Sequence, residues 1–453
     1  MTDHDGTFEG RKALLNARQL DAANSLSEGW NAEDGSFALP VVEGPPGTGK
    51  TTVGVLGAVG YLAQNPKARV AYLAYTNFAA EKAREVFFSL GLGPDRVLRL
   101  SASSRETDWT KGVVGCGSDL EGLTPDQVRK LREATVLIST LHGAKRVFNV
   151  FKQPLIVIDE FSQVSPSMFF TVLARVSKTT EYNPSGFALL GDPNQLPVIT
   201  SQPLLRPNIG TFILSRKSQY EPHQLDTQYR MNEPICEAVN ALREALNTYP
   251  LLSDQSVIRR DMEGLGYRWN PSNVNPALRE ILDPSNPLVF VDTDPLPGTE
   301  DVGVGQSKLY VNEAKLAMEL AESARRAYSA PGEMQLRPVV LSPYNAQIGA
   351  LQSQTDDEFL QGGCMTIYKA QGREYPFVIV SFARKNPIQT IGFLAEPELR
   401  AQTYVACSRA MAKLVLLFSF STFQGYPDYA TLLAKCGGVA YFAESDRLWR
   451  STG

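Results

Sequence analysis

The chain has 453 residues, of which 43% are hydrophobic and 20% charged, so it is a globular protein with more than one domain rather than a disordered or fibrous chain. Its formal net charge of −4 excludes a uniformly basic nucleic-acid binder and restricts any phosphate contacts to a local groove. Five widely spaced cysteines without a Cys-x-x-Cys pair, together with only three histidines, exclude a zinc module and a disulfide framework.

The first half of the chain alternates short apolar runs with helical patterns. Each run is followed at once by a turn-forming or acidic residue, which is typical of buried parallel strands. The predicted strands lie at residues 37–42, 70–74, 155–158 and 187–190, and the predicted helices lie at 51–63 and 78–90. This alternation favours a parallel sheet that helices cover on both faces.

A second series of the same kind follows, so the predicted fold class is α/β with two such units in tandem. Its strands are predicted at 288–291, 338–341, 377–382 and 413–418, with a helix at 311–328. We place the boundary within residues 203–221, which gives units of residues 1–210 and 211–453. Two stretches interrupt the pattern and are predicted insertions: residues about 92–133, which are polar and end in a helix at 125–133, and residues about 250–287, which are irregular.

Residues 44–51 read GPPGTGKT and match the phosphate-binding pattern G-x-x-x-x-G-K-[ST] between a predicted strand and a predicted helix. Glycines let backbone N–H groups approach phosphate oxygens, and the helix N-terminus adds partial positive charge. We expect Lys50 to reach the β- and γ-phosphates and Thr51 to bind Mg²⁺. The alternative is a glycine-rich turn that binds no nucleotide, against which the flanking strand and helix argue. The predicted nucleotide-binding residues here are Gly44, Pro45, Pro46, Gly47, Thr48, Gly49, Lys50, Thr51 and Thr52.

The predicted strand at 155–158 ends in two acidic residues, Asp159 and Glu160. We expect Asp159 to hold Mg²⁺ through water and Glu160 to orient or deprotonate the attacking water. The alternative is a solvated acidic turn. The phosphate-binding pattern upstream favours the metal site.

Further short motifs follow these two in order along the chain. They are LNARQ at 15–19, Thr76-Asn77, Ser139-Thr140, DEFSQ at 159–163, GDPNQLP at 191–197, QYRM at 228–231, Pro343-Tyr344, AQGRE at 370–374 and VACSRA at 405–410. The ordered set, spanning residues 14–419, resembles superfamily 1 helicases of the up-frameshift and senataxin group, whose second motif has the form D-E-x-x-Q. The resemblance implies two RecA-like P-loop domains, ATP and Mg²⁺ as cofactors, and ATP hydrolysis stimulated by nucleic acid.

The resemblance also implies roles for residues around the nucleotide. Arg230 and Arg409 would neutralise charge on the transferring phosphoryl group from the second domain, the alternative being ordinary salt-bridged arginines. Gln19 would read adenine, and Tyr229 would stack on it unless it is a core tyrosine. The remaining roles are these: Gln163 and Gln195 would sense the γ-phosphate and its water, Glu374 would bond the ribose or position the arginines, and Arg373 would reach phosphate or pair with the acids of the second motif.

Contacts to a single nucleic-acid strand are expected from loops that end the strands. Small hydroxyls and amides can bond phosphate and sugar, and tyrosines can stack on bases. The alternatives are turn-capping hydroxyls and packed tyrosines. By resemblance the candidates are Thr76, Asn77, Ser139, Thr140, Tyr344, Thr366 and Tyr368.

These features together predict an ATP-dependent translocase or helicase that acts on single-stranded RNA or DNA. The resemblance implies 5′ to 3′ movement and favours RNA, and a monomer is expected because both arginine candidates lie in one chain. Two alternatives remain open: an ATP-gated clamp or protein-displacing remodeller that separates no strands, and a P-loop regulatory NTPase with a protein partner. The polar N-terminus and the lack of a long apolar run predict an intracellular protein, cytoplasmic or nuclear, without membrane contact.

Overall fold

The computed structural model of the chain divides into two compact units, Met1–Asp226 and Thr227–Gly453. Each unit has its own large sheet flanked by helices. The structure describes residues 8–28, 40–177, 186–198, 200, 202, 207–215, 221–332, 335–396, 399–436, 438–442 and 449–451.

The described strands of the first unit form an eight-stranded, parallel sheet. In chain order they are β1 (Val41–Glu43), β2 (Val70–Ala74), β3 (Val97–Ser101), β4 (Val113–Gly115), β5 (Val136–Thr140), β6 (Leu155–Asp159), β7 (Gly186–Gly191) and β8 (His223–Gln224). Their order across the sheet is β4-β3-β5-β2-β6-β7-β1-β8. Because all the strands are parallel, the loops at their carboxyl ends lie along one edge.

Helices cover this sheet, and local sequence sets where several of them begin. The Thr76 hydroxyl caps one helix, and a capping box between Thr124 and Gln127, with Pro125 at the first position, starts another. The helices are α1 (Phe8–Lys12), α2 (Ala17–Glu28), α3 (Lys50–Gln64), α4 (Asn77–Ser89), α5 (Pro125–Glu133), α6 (Ala144–Phe148), α7 (Pro166–Ser177) and α8 (Ile209–Leu214).

The structure differs from prediction at residues 92–133, which contribute β3 and β4 to the sheet instead of lying outside it. The charged Arg99 at the centre of β3 conceals a buried strand in the sequence. Arg99 is 8% exposed, and its guanidinium is neutralised by Glu81 at 2.9 Å and Glu106 at 3.1 Å. A buried arginine of this kind needs partners that the sequence pattern does not identify.

Two further boundaries differ from prediction. The first strand begins at Val41, and residues 37–39 of its predicted range lie outside the described residues. The units divide after Asp226 rather than within residues 203–221, part of which (203–206 and 216–220) also lies outside the description. The reason is that β8 pairs with β1 and so belongs to the first sheet.

The second unit contains a seven-stranded sheet among its described residues, with the order β17-β16-β18-β19-β12-β20-β21. It is parallel except for the last pair. In chain order the strands of this unit are β9 (Thr227–Gln228), β10 (Leu252–Ser253), β11 (Arg268–Trp269), β12 (Leu288–Asp292), β13 (Asp301–Val302), β14 (Lys308–Leu309), β15 (Tyr328–Ser329), β16 (Val339–Ser342), β17 (Cys364–Thr366), β18 (Tyr375–Ser381), β19 (Ala410–Phe418), β20 (Gly438–Phe442) and β21 (Trp449–Ser451).

Residues 250–287, a predicted insertion, contain only short elements and belong to the core of the second unit. Met262, Val274, Leu278 and Ile281 are buried in the same apolar cluster as the long helix of this unit. The helices are α9 (Glu233–Ala245), α10 (Arg279–Leu282), α11 (Val311–Ala327), α12 (Asn345–Gln352), α13 (Glu358–Gln361), α14 (Ala401–Cys407), α15 (Phe420–Phe423) and α16 (Pro427–Lys435).

Both units therefore have the α/β architecture of RecA-like domains, with a mostly parallel sheet between helices. None of the helices in the described ranges combines the length and apolar character that crossing a bilayer requires.

Candidate nucleotide site and strand-contacting edge

The phosphate-binding loop runs from the end of β1 into α3. Gly49 adopts a left-handed φ of 80°, which glycine accepts at little cost. A Cβ at Gly44 would lie 2.3 Å from Cγ of Lys50, so the lysine side chain crosses directly over this glycine. The Thr48 hydroxyl donates to the Pro45 carbonyl at 2.8 Å and closes the loop. The segment is completed by Pro46, by Gly47 with a φ of 83°, and by Thr51 and Thr52 in the first turn of α3.

Gln19 joins the start of α2 to the phosphate-binding loop. Its backbone N–H donates to Oδ1 of Asn16 at 2.9 Å while its Oε1 accepts from the Asn16 N–H at 3.0 Å, which is a reciprocal capping box. Its Nε2 donates to the Thr48 carbonyl at 2.9 Å. A Cβ at Gly49 would lie 3.0 Å from that nitrogen, so glycine at this position also gives Gln19 room. The LNARQ motif therefore folds against the loop.

The carboxylate of Asp159, at the end of β6, faces the first turn of α3. Its Oδ2 accepts from the Thr51 hydroxyl at 2.9 Å and from the Tyr72 hydroxyl at 2.8 Å, and its Oδ1 accepts from the Glu160 N–H at 2.9 Å. Burial and the charge of Glu160 raise the pKa of Asp159, while Tyr72, Lys50 and Thr51 oppose the rise. A dense set of donors thus surrounds one buried acid.

This donor set fits Mg²⁺. A hydroxyl and a carboxylate oxygen only 2.9 Å apart are the hard oxygen ligands that Mg²⁺ takes from a protein, with phosphate and water supplying the rest. Within the described ranges no group of three or more His, Cys, Asp or Glu side chains could hold a metal ion by itself. A magnesium bound at Thr51 and Asp159 would therefore depend on the nucleotide.

Glu160 has a left-handed backbone, with a φ of 62°. Such a conformation is strained for a residue with a Cβ and is typical of functional turns. Its Oε1 accepts from the Ser162 hydroxyl at 3.0 Å. The turn is held by Phe161, because a Cβ at Gly191 would lie 2.7 Å, and a Cβ at Gly210 2.0 Å, from its ring.

The GDPNQLP motif, residues 191–197, begins at the end of β7, the strand next to β6. Gln195 is 4% exposed, and its Nε2 donates to Oδ2 of Asp192 at 3.4 Å. Gln163 ends the short helical turn after β6 and is 7% exposed. Because β6, β7 and β1 are adjacent in the sheet, the structure brings both glutamines, the two acids and the phosphate-binding loop to one edge.

Arg230 and Arg409, the arginines predicted to act on the phosphates, are both hydrogen-bonded to other residues of the second unit. Arg230 is 7% exposed, its Nε lies 2.8 Å from Oε2 of Glu374, and its Nη1 donates to the Ser408 carbonyl at 3.0 Å. Arg409 is 1% exposed, its Nη1 donates to the Arg373 carbonyl at 3.1 Å, and its Nη2 donates to the Ser408 hydroxyl at 2.9 Å. The structure therefore brings these two arginines together with Arg373 and Glu374.

Tyr229 lies directly after β9 and is partly buried. Nη1 of Arg260 donates to the carbonyls of both Tyr229, at 3.2 Å, and Arg230, at 2.6 Å. Two backbone carbonyls in a row are thus fixed by one guanidinium, so the Tyr229 and Arg230 side chains start from one rigid turn.

The strand-contact candidates of the first unit lie where β2 and β5 end. The Thr76 hydroxyl accepts from the Ala79 N–H at 3.1 Å and caps α4, whose first residue is the exposed Asn77. The Thr140 hydroxyl also caps a helical turn. Ser139 is 1% exposed, so its side chain is packed inside the unit. Helix capping is thus a structural role for the Thr76 and Thr140 hydroxyls, and both residues remain partly exposed.

The candidates of the second unit lie at the ends of β16 and β17, where Ser342 pairs with Thr366. Thr366 and Tyr368 are partly buried. Tyr344 is 5% exposed and packs on Phe393 with ring centroids 5.0 Å apart, and burial raises its pKa to about 12. Tyr344 is therefore a packed tyrosine, the alternative that the sequence left open.

Sequence reasoning missed Glu313, a buried acid near the start of α11. Its Oε1 accepts from the Ser381 hydroxyl at 2.7 Å and from the Ala383 N–H at 2.8 Å, and its Oε2 accepts from the Thr293 hydroxyl at 3.4 Å. Burial raises its pKa to about 7. An acid near a helix start is an ordinary surface feature, so the sequence holds no signal for this one.

Sequence reasoning also missed Tyr72, the partner of Asp159. It carries the one side-chain polar atom of the strand VAYLA, and buried tyrosine hydroxyls usually find a hydrogen-bond partner. The sequence therefore does hold a signal that the Tyr72 hydroxyl has a buried hydrogen-bond partner.

Comparison with known proteins gives the same family as the motifs. One AAA domain family matches residues 14–260 and another matches residues 212–420. The chain is 26% identical over 427 residues to the DNA replication ATP-dependent helicase/nuclease DNA2 of Mus musculus, covering 86% of this chain and 36% of that protein. It is 24% identical over 472 residues to Regulator of nonsense transcripts 1 of Dictyostelium discoideum, covering 93% of this chain and 32% of that protein.

The chain therefore spans about a third of the length of these relatives. Among solved structures, it is similar to the DUF1998 helicase MrfA bound to DNA, with a TM-score of 0.46, 12% identity, and coverage of 94% of this chain and 54% of that one. The chain belongs to the AAA domain family, in which it is a superfamily 1 helicase-type ATPase of the up-frameshift and DNA2-like group with ATP and Mg²⁺ as cofactors.

Proposed function

We propose that the chain uses ATP hydrolysis to move along a single nucleic-acid strand and to separate paired strands. The observation that carries this proposal is the hydrogen bond of 2.9 Å between Thr51 of the phosphate-binding loop and Asp159. It joins the two halves of a magnesium–triphosphate site at the carboxyl end of the sheet, where Thr76 follows β2, the neighbour of β6, and Thr140 ends β5, the next strand beyond β2. ATP chemistry and strand contact would then share one sheet edge.

For hydrolysis, Lys50 would neutralise the β- and γ-phosphates, and Thr51 and Asp159 would hold the metal ion. Bound Mg²⁺ supplies charge neutralisation at the phosphates. Glu160 would orient the attacking water and accept its proton, and its turn keeps the carboxylate at the end of β6. Gln163 and Gln195 would respond to the γ-phosphate.

We propose that Arg230 and Arg409 supply the positive charge that the transition state requires. Phosphoryl transfer needs charge neutralised on the equatorial oxygens, and arginines suit this role because they stay charged and offer several donors. Glu374 would position Arg230, to which it is paired at 2.8 Å. Arg373 would approach the phosphates or the acids of the second motif.

For nucleotide recognition, Gln19 would read the adenine edge and Tyr229 would stack on the ring. The structure leaves the Gln19 amide with hydrogen-bonding capacity, because its bonds to Asn16 and Thr48 use one lone pair and one N–H. One donor and one acceptor complement N7 and the 6-amino group of adenine.

The strand would be held by Thr76, Asn77 and Thr140 in the first unit and by Thr366 and Tyr368 in the second. These groups favour backbone contacts, which carry no sequence information. We propose movement from 5′ to 3′. The names of the DNA2 relatives make single-stranded DNA the first substrate to test, with RNA as the alternative.

The test is ATP turnover without nucleic acid, with single-stranded RNA and with single-stranded DNA, beside unwinding of duplexes that carry a 5′ or a 3′ single-stranded tail. We expect stimulation by a single strand, unwinding from the 5′ tail, and loss of both in Lys50→Ala. Stimulation without unwinding would indicate a clamp or remodeller. Turnover that no strand stimulates would reject the proposal and favour a regulatory NTPase.

A further inference from the structure

The hydroxyl of Tyr72 is buried in the first unit, next to Asp159, the acid proposed to bind the metal ion. The residue is 0% exposed, and its hydroxyl donates to Oδ2 of Asp159 at 2.8 Å, the same oxygen that accepts from Thr51 at 2.9 Å. The hydroxyl belongs to no motif of the site. Its hydrogen bond therefore needs its own explanation.

The strand register explains how a residue on β2 reaches the end of β6. Tyr72 pairs with Val157, which lies two residues before Asp159 and on the same face of the sheet. Two residues of a strand span roughly 6.6 Å, which is about the reach of a tyrosine side chain leaning along the sheet. The phenol therefore arrives beside the carboxylate without distortion of either strand.

Packing holds the ring in this position. Phe87 of α4 meets the Tyr72 ring edge-on, with centroids 5.9 Å apart, and is itself fully buried. On the other side, a Cβ at Gly54 of α3 would lie 3.3 Å from the phenol oxygen. The ring is thus enclosed between two helices, so the hydroxyl has a fixed location.

We propose that Tyr72 is a positioning residue for magnesium binding: its hydroxyl fixes the rotation of the Asp159 carboxylate so that the acid meets the metal ion of a bound nucleotide. The inference rests on the proposed nucleotide site. The Glu160 N–H holds Oδ1 from one side, and Tyr72 holds Oδ2 from the other. If the Thr51 hydroxyl were used to hold a metal ion, the bond from Tyr72 would still fix the Asp159 carboxylate.

Hydrogen-bond partners that orient a metal ligand typically change metal affinity by about 10- to 100-fold when they are removed. Tyr72→Phe removes one hydroxyl and keeps the ring, so it tests the bond and not the packing. We expect a fluorescent ATP analogue to bind the variant about 10-fold more weakly in Mg²⁺ and within about twofold of the unaltered chain in EDTA. The Mg²⁺ concentration for half-maximal binding should rise by a similar factor.

Tyr61→Phe is the matched control, because Tyr61 is a buried tyrosine of α3 in the same unit without a side-chain bond to Asp159. It should leave both affinities unchanged. A second comparison uses Asp159→Asn, alone and with Tyr72→Phe. Because Tyr72 acts through Asp159, adding Tyr72→Phe to Asp159→Asn should cause no further loss.

Equal affinity of Tyr72→Phe and the unaltered chain in Mg²⁺ would overturn the inference, and so would an equal loss in Mg²⁺ and EDTA. Additive losses in the double variant would also overturn it. These readouts need no nucleic acid. Failure of strand-stimulated turnover in the unaltered chain would instead count against the proposed function, so the two failures can be told apart.

Discussion

Arg230 and Glu374 form an ion pair at 2.8 Å in which Nε of the arginine is bound while Nη1 donates to the Ser408 carbonyl at 3.0 Å. Two separate parts of the guanidinium are used, and a lysine ammonium cannot reproduce this fork. Arg230 is thus locked into one orientation by the unit that carries it.

Replacing Arg230 with lysine should therefore slow ATP hydrolysis much more than it weakens nucleotide binding. We expect Arg230→Lys to lower the single-turnover rate of ATP hydrolysis by about 1,000-fold, the usual value of an arginine that acts on the transition state. Nucleotide affinity should change little. An equal loss of affinity and rate would show a structural role only, and Arg129→Lys on the exposed face of α5 serves as the control.

Replacing Gln19 with glutamate should change which base the site prefers. The carboxylate can still accept from the Asn16 N–H, but it has no proton to donate to the Thr48 carbonyl. A carboxylate oxygen would then face the Thr48 carbonyl oxygen, and repulsion between two acceptors would replace a hydrogen bond of 2.9 Å. We expect the preference for ATP over GTP, measured as the ratio of kcat/KM values, to fall by about 10-fold, equivalent to the loss of one good hydrogen-bond arrangement. An unchanged ratio would remove Gln19 from base recognition, and Asn16→Asp, which keeps the cap acceptor, is the control.

Adding a methyl group at Gly210 should disturb the turn that presents Glu160. The new Cβ would lie 2.0 Å from the Phe161 ring, which Gly191 confines on its other side. We expect Gly210→Ala to lower the free energy of unfolding by about 1–3 kcal/mol, the usual cost of overpacking, and to reduce ATP turnover. Denaturant unfolding measures the first effect. Gly349→Ala is the control, since nothing lies within 4 Å of its Cβ position.

The buried Glu313 should make stability depend on pH. Burial raises its pKa from 4.5 to about 7 in the folded chain. Between these values the folded state keeps a proton that the unfolded state releases, so the free energy of unfolding should fall as pH rises through this window. The full effect is at most about 3 kcal/mol.

Glu313→Gln removes the titration and keeps the shape. We expect the unfolding free energy of the unaltered chain to decline relative to this variant between pH 4.5 and 7, as followed by urea unfolding. Glu133→Gln, at a residue whose side chain is 60% exposed, should keep the slope of the unaltered chain. Parallel profiles for Glu313→Gln and the unaltered chain would contradict the assignment.

Much of the architecture follows from local pattern. The strand Val70–Ala74 and the helix Pro125–Glu133 have the predicted bounds. The strand is an unbroken run of aliphatic residues and one tyrosine, and a capping box and a proline mark the start of the helix. The strand Val97–Ser101 escaped prediction because Arg99 breaks its apolar run, and only folding supplies the acids that neutralise it.

In the candidate site, too, some residues follow from sequence motifs and others only from the folded structure. The pattern G-x-x-x-x-G-K-[ST] points to the loop that holds Lys50, and an apolar run that ends in two acids downstream of it points to Asp159. The sequence indicates that a buried Tyr72 hydroxyl needs a partner and leaves packing open for Tyr344, but it identifies neither contact, since both depend on which strands lie side by side and how a ring packs between them.

The register of the first sheet has a mechanical consequence. Ala74 pairs with Asp159 on one side and with Thr140 on the other, so the acid proposed to bind the metal ion and the hydroxyl proposed to contact nucleic acid lie in one row across three strands. Neighbouring strands are about 4.8 Å apart, which places the two backbones about 10 Å from each other. Backbone hydrogen bonds hold this row together, so with a triphosphate at Asp159 and a polynucleotide at Thr140, as proposed, a displacement at one would reach the other across a single intervening strand.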